Sequence, residues 1–217
     1  MQIIQRAARN AEDASRSGAV AIHDGTSALF ATAEDGTGSA PPGAVARVLA
    51  REAAALLHER VAPASWPASL AARIGERLAA KQEGDPAWLL FAAVVVSNDE
   101  IQVCTAGDIR IHLVRGGEVV RATRDHVLAN ESPAWVKATY GDLSVADHGS
   151  MVTRSLGSGS RPPEADRWVS EAPFLVLVCS SADHCYRPPA TYAPALLDAL
   201  LRGDEAAGQG LLARIHV

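Results

Sequence analysis

The sequence predicts an α+β fold in which helices cover antiparallel sheet, and two observations carry that prediction. Two alanine-rich amphipathic segments follow one another directly, and the middle of the chain is a series of short apolar strands joined by tight turns. Helix runs and strand runs that are segregated in this way point to helices packed on sheets, not to a parallel βαβ arrangement.

From Ala44 to Val61 the apolar residues Val45, Val48, Leu49, Ala53, Leu56 and Leu57 recur at helical spacing, behind the breaker Pro41-Pro42-Gly43. From Pro67 to Lys81, Leu70, Ile74 and Leu78 step by four along one face, and Gly84-Asp85-Pro86 ends the stretch. Trp88 to Val96 is continuously apolar and ends in Val94-Val95-Val96, which by length and β-branching predicts a buried strand. Ser97-Asn98-Asp99-Glu100 turns into a strand from Ile101 to Thr105, and Ala106-Gly107-Asp108 turns again into Ile109 to Val114. Gly116-Gly117 is a hairpin signal leading to Glu118–Ala122, so this region is expected to form one antiparallel meander. A short helix is expected around Pro133 to Thr139. A strand at Phe174 to Cys179 is expected to pair with a segment around Arg167 to Ser170. Helices are expected at Ala193–Leu201 and Glu205–Ala213.

The chain has 217 residues, 48% of them hydrophobic, which suits one domain over 1–217 with an ordinary core. Its net charge of -5, and the lack of any Lys/Arg cluster interleaved with aromatics, speak against a nucleic-acid partner. No run approaches ~18 consecutive apolar residues, and the first residues lack a signal-peptide core, so the expectation is a cytoplasmic protein without a membrane partner. Cys104, Cys179 and Cys185 form no CxxC pair and read as small buried side chains in a reducing compartment.

Four short pieces carry candidate chemistry. They are Glu12-Asp13 after an apolar N-terminal segment, and Asp35-Gly36-Thr37-Gly38 where a strand runs into a glycine-rich turn. The other two are Gly107-Asp108-Ile109-Arg110 with Thr123-Arg124-Asp125-His126, and Thr153-Arg154-Ser155-Leu156-Gly157. An aspartate followed by glycine at a strand end can present both its carboxylate and the glycine carbonyl to a hard cation. Carboxylates arriving from separate strands can then hold two divalent ions that clamp a water and a phosphate. Taken alone, each piece is a common turn or a solvated acidic pair.

In this order and spacing they resemble the metal-dependent PPM (type 2C) serine/threonine protein phosphatases. Glu12-Asp13-Ala14 is similar to the family's first acidic motif, and Asp35-Gly36-Thr37-Gly38 to its metal-bridging turn. Gly107-Asp108-Ile109-Arg110 is similar to Gly-Asp-Ser-Arg, Thr123-Arg124-Asp125-His126 to Thr-x-Asp-His, and Thr153–Gly157 to Thr-Arg-x-Leu-Gly. Phe174–Ser180 stands where an apolar strand delivers Ser-Asp-Gly. The resemblance implies a four-layer α-β-β-α sandwich, two antiparallel sheets flanked by antiparallel helix pairs. It also implies Mn or Mg held by Glu12, Asp13, Asp35 and the Gly36 carbonyl, with Arg9 or Arg6 binding phosphate and His23 as the nearby candidate general acid.

The chain also departs from the family. Ser180-Ser181-Ala182 replaces Ser-Asp-Gly, so a neutral hydroxyl stands for a ligand carboxylate, and no Asp-Asn pair occupies the last motif. Asp183, two residues on, is the candidate replacement, with His184 beside it. Three readings follow. The first is a pseudophosphatase that binds a phosphoprotein or regulatory protein partner with no metal bound. The second is an atypical Mn- or Mg-dependent phosphatase. The third is an unrelated binding domain in which Asp35-Gly36 is only a turn.

Overall fold

The computed structural model describes residues 2–5, 16–38, 40–80, 86–97, 100–157, 161–169, 174–179, 188–202 and 210–215. Their strands are β1 (Gln2–Gln5), β2 (Ser17–His23), β3 (Ser27–Asp35), β4 (Leu89–Ser97), β5 (Glu100–Ala106), β6 (Arg110–Arg115), β7 (Glu118–Ala122), β8 (Glu164–Val169), β9 (Phe174–Cys179) and β10 (Gly210–Ile215). Their helices are α1 (Ala44–His58), α2 (Trp66–Ala79), α3 (Pro133–Tyr140), α4 (Val145–His148) and α5 (Pro189–Arg202). Two antiparallel sheets form, in the orders β1-β10-β9-β6-β7 and β2-β3-β4-β5-β8.

Strand alternation explains how the layers stack. Along β4, Leu89, Phe91, Ala93 and Val95 face α1 and α2, joining Val45, Leu49, Leu70 and Ile74 in one core. The alternate residues Leu90, Ala92, Val94 and Val96 face the other sheet, where they meet Ile111 of β6 and Val176 of β9. The continuous apolar run of β4 is therefore the mark of a strand with an apolar neighbour on both sides. The outer face of the sheet that contains β6 and β9, with Val114, Leu177 and Cys179, is covered by Tyr192, Ala193 and Leu197 of α5. The order is helices, sheet, sheet, helix, a four-layer sandwich, with the α1–α2 pair on one side and α5 on the other among the described residues. Both buried helix faces match the sequence reading, except that Leu57 of α1 points outward. No helix among the described residues is long and apolar enough to cross a membrane.

Three expectations are corrected. The meander is two hairpins, β4–β5 and β6–β7, in different sheets, because residues 107–109 cross from one sheet to the other instead of reversing direction within one. The segment before β9 does not pair with it: β8 lies against β5, and β9 sits between β6 and β10. Apart from Trp168 the residues of β8 are exposed, which suits a sheet edge, whereas β9 is buried on both faces and takes a central place. Finally, residues 210–213 are strand, not helix; β10 pairs with both β1 and β9, and sheet pairing overrides the helical bias of the alanine-rich stretch before it. The rest of that expected helix, 205–209, lies outside the described residues.

Candidate active site at the Asp35 end of the sandwich

Strand register gathers the motifs at one end of the molecule. Asp35, the last residue of β3, pairs with Leu89, the first of β4, and Phe91 pairs with Ala106, the last of β5. The chain then crosses through Gly107-Asp108 to Arg110, which pairs with Cys179, the last residue of β9. Ser17, which opens β2, pairs with Glu34 at this same end. Leu156 closes the group by bonding Leu89 in both directions, each at 2.9 Å.

The Asp35 turn is tightly organised. Its Oδ1 accepts from the Thr37 backbone N–H at 3.1 Å and the Thr37 hydroxyl at 2.8 Å, while Oδ2 accepts from the Ala40 N–H at 2.7 Å. Gly36 lies under Trp88, whose ring would stand 1.8 Å from a Cβ placed there, so only glycine fits this close approach. Arg16 completes the surroundings, with Nη1 3.2 Å from the position a Cβ on Gly38 would take. The Gly36 N–H donates to the Trp88 carbonyl at 3.3 Å, so a carboxylate, the Gly36 carbonyl and a guanidinium share one turn.

The later motifs hold one another. Arg110 makes a two-pronged bond to Asp125, Nε to Oδ1 and Nη2 to Oδ2, both at 2.6 Å and both residues buried. Burial works against the Arg110 charge, but the bonds from Asp125 and Tyr192 outweigh it and the net shift of its pKa is upward. Arg110 Nη1 donates to the Tyr192 hydroxyl at 3.1 Å, and that hydroxyl lies 2.6 Å from His112 Nε2, so one buried polar chain ties α5 to β6. His126 Nδ1 accepts from the Gly107 N–H at 3.2 Å, which leaves the proton of the neutral ring on Nε2, facing Glu164 Oε2 at 3.0 Å. Burial pushes the His126 pKa below its ordinary value, with Arg154 adding to the effect against Glu164.

Of the residues singled out from sequence, Asp35 and Gly36 form the turn at the end of β3. Arg6, Arg9, Glu12, Asp13, Ser181, Asp183 and His184 lie outside the described residues. His23 is a strand-end histidine, exposed at the far end of β2 from Ser17, roughly 20 Å away at ~3.3 Å per residue, because the strand runs away from the Asp35 end. Arg16 was missed, since only the pairing of β2 with β3 brings it beside Gly38. Among the described residues no three His, Cys, Asp or Glu side chains come together as a metal-holding group. The Asp35 turn itself offers one carboxylate, with about three of its four lone-pair directions already used, and the Gly36 carbonyl; Glu12, Asp13 and Asp183, the other candidate ligands, lie outside the described residues.

No protein-family model and no curated protein sequence matches the chain. Solved structures do. A serine/threonine phosphatase of S. agalactiae shares 17% identity at a TM-score of 0.66, over 97% of this chain and 95% of that one. The Mycobacterium tuberculosis serine/threonine phosphatase PstP/Ppp shares 17% identity at 0.55, over 100% and 97%. Stp1 of Staphylococcus aureus, also a serine/threonine phosphatase, shares 14% at 0.63, over 100% and 94%. The agreement runs end to end and is an agreement of fold. The chain has the fold of the PPM-type serine/threonine phosphatases.

Proposed function

We propose that this protein is a divergent PPM-type phosphatase-fold protein that binds a phosphoprotein or regulatory partner without turning it over. The observation that carries the reading is the state of Asp35. Its carboxylate is committed to the turn that bears it, through the Thr37 N–H and hydroxyl and the Ala40 N–H. A carboxylate with one lone pair to spare is a poor bridge between two cations. Ser181, where the family has a ligand aspartate, removes a further negative charge. On this reading Asp35 is a structural residue that keeps the turn in shape, and Arg16 supplies a cation that faces an anionic partner group without activating water against it.

One observation favours the alternative, an atypical Mn- or Mg-dependent phosphatase that hydrolyses phosphomonoesters. A structural neighbour, the catalytic domain of PstP, is described in complex with two manganese ions. In that case Glu12, Asp13, Asp35, the Gly36 carbonyl and Asp183 would be the ligands, with Arg9 or Arg16 on the phosphate.

The deciding experiment is calorimetric titration of manganese and magnesium, run beside p-nitrophenyl phosphate turnover, on the wild type and on Asp35→Asn. The pseudophosphatase reading expects no tight binding and no turnover in either protein. Manganese-dependent turnover by the wild type that disappears in Asp35→Asn would overturn it in favour of the enzyme.

A further inference from the structure

Arg124, Arg154 and Arg161 come from three separate stretches of sequence, and the fold sets them around one open concavity of about 430 Å³, with Glu131, Ser132 and Trp135 as neighbours. The three guanidinium groups are held in different ways. Arg161 donates through Nη1 to Glu131 Oε2 at 2.7 Å and lies over the Trp135 ring, 5.1 Å from its centre. Arg154 donates through Nη1 to Glu164 Oε2 at 3.2 Å, and its buried Nε has no acceptor among the described residues. Arg124 is exposed and makes no ion pair among the described residues.

The acidic residues do not exhaust these donors. Each guanidinium carries five N–H groups in a planar fork. Glu131 is turned toward the protein: Oε1 accepts from the Thr153 hydroxyl at 2.8 Å and Oε2 from Arg161. Glu164 is shared between Arg154 and His126. Each of the three arginines lining the concavity thus carries more N–H groups than these two carboxylates take up, and Arg124 is exposed there. Set against Glu131 and Glu164, the three arginines leave one net positive charge; an anionic group with several strong acceptor oxygens suits those donors, and paired forks around such oxygens are the usual way arginine holds a phosphate. The location fits a chain-borne anion as well. Arg154 is two residues from Leu156, which is hydrogen-bonded to Leu89, and Leu89 pairs with Asp35, so the concavity and the Asp35 turn are joined by a short path of backbone.

We propose that this concavity is a subsite for a phosphomonoester dianion carried on a protein chain, separate from the Asp35 turn. The source of the anion rests on the phosphoprotein reading above; the anion site itself does not.

The test uses the full chain carrying Asp35→Asn, in EDTA, so that neither a cation nor the Asp35 carboxylate contributes. Three probes are titrated at low and high salt: an acetylated, amidated alanine-rich nonapeptide with one phosphoserine, its unphosphorylated twin, and inorganic phosphate. Binding is followed by calorimetry and by tryptophan fluorescence. The phosphopeptide is expected to bind at least tenfold more tightly than its twin, less tightly as salt rises, and at least tenfold more weakly when Arg124→Glu or Arg161→Ala is added. Arg124→Glu changes an exposed residue, so its melting curve should match the parent and the test survives if Arg161→Ala folds poorly. Failure of the phosphopeptide to outbind its twin, or phosphopeptide binding unaffected by Arg124→Glu, would overturn the subsite. Inorganic phosphate that binds as tightly as the phosphopeptide would overturn its assignment to a protein-borne group. Turnover assays decide the pseudophosphatase reading independently of all these outcomes.

Discussion

Arg110 and Asp125 meet in a two-pronged ion pair, both contacts at 2.6 Å, in a place where the Asp125 side chain is only 2% exposed. The pair clips the first residue of β6 to the loop that follows β7. With Tyr192 bonded to the same guanidinium, it also fastens α5 to the sheet.

Removing one partner should leave the other charge buried and uncompensated. Arg110→Ala is expected to cost about 3–5 kcal/mol in urea unfolding, and the double change Arg110→Met with Asp125→Leu to cost less than Arg110→Ala alone. A double variant less stable than the single one would contradict this account.

The Gly36–Trp88 contact makes a second prediction. A methyl group at Gly36 overlaps the Trp88 ring, so Gly36→Ala should destabilise by about 1–3 kcal/mol. The same change in a Trp88→Leu background should cost much less, and a double-mutant cycle measures the difference.

His126 should make stability depend on pH in a definite direction. Its folded pKa lies below the ordinary 6.5, so in the window between the two values the unfolded chain binds a proton that the folded chain does not. The contribution is complete above the ordinary value and shrinks as pH falls below it. Proton NMR should show a His126 midpoint below 6.5, and His126→Gln should flatten the fall in melting temperature across that range.

Cys104 sits between the strands and the covering helices, and burial pushes its thiol up to about 12. It should therefore resist alkylation in the native protein at pH 8 and become labelled only on unfolding, as read by peptide mass spectrometry after an iodoacetamide pulse.

Much of this architecture is legible in the sequence because local patterns carry it. The helix faces of α1 and α2, the buried β4 and the Gly116-Gly117 hairpin each follow from the spacing of apolar residues or from a turn that needs positive φ, which both glycines adopt. The Asp35-Gly36 turn was equally visible, since its residue types mark a turn wherever they occur. What the same patterns do not contain is partnership between distant strands. That β8 belongs with β5 and β9 with β6, or that Leu211 and Leu212 lie on a strand, depends on which sheet each segment can complete.

The site divides along the same line. The residue pattern by itself determined that a strand would end in an acidic, glycine-bearing turn, and the resemblance to the phosphatase family placed Arg110 and Asp125 in two of its short motifs. Only the tertiary structure decided that Asp35 spends its oxygens on Thr37 and Ala40, that Arg16 reaches Gly38, and that His23 lies at the wrong end of its strand. It alone also brought Arg124, Arg154 and Arg161 around one concavity. The reason is physical. Short-range patterns record what a residue does to its own backbone, whereas an electrostatic site is made by groups far apart in sequence, whose meeting is set by strand register and by the crossing of the chain between two sheets.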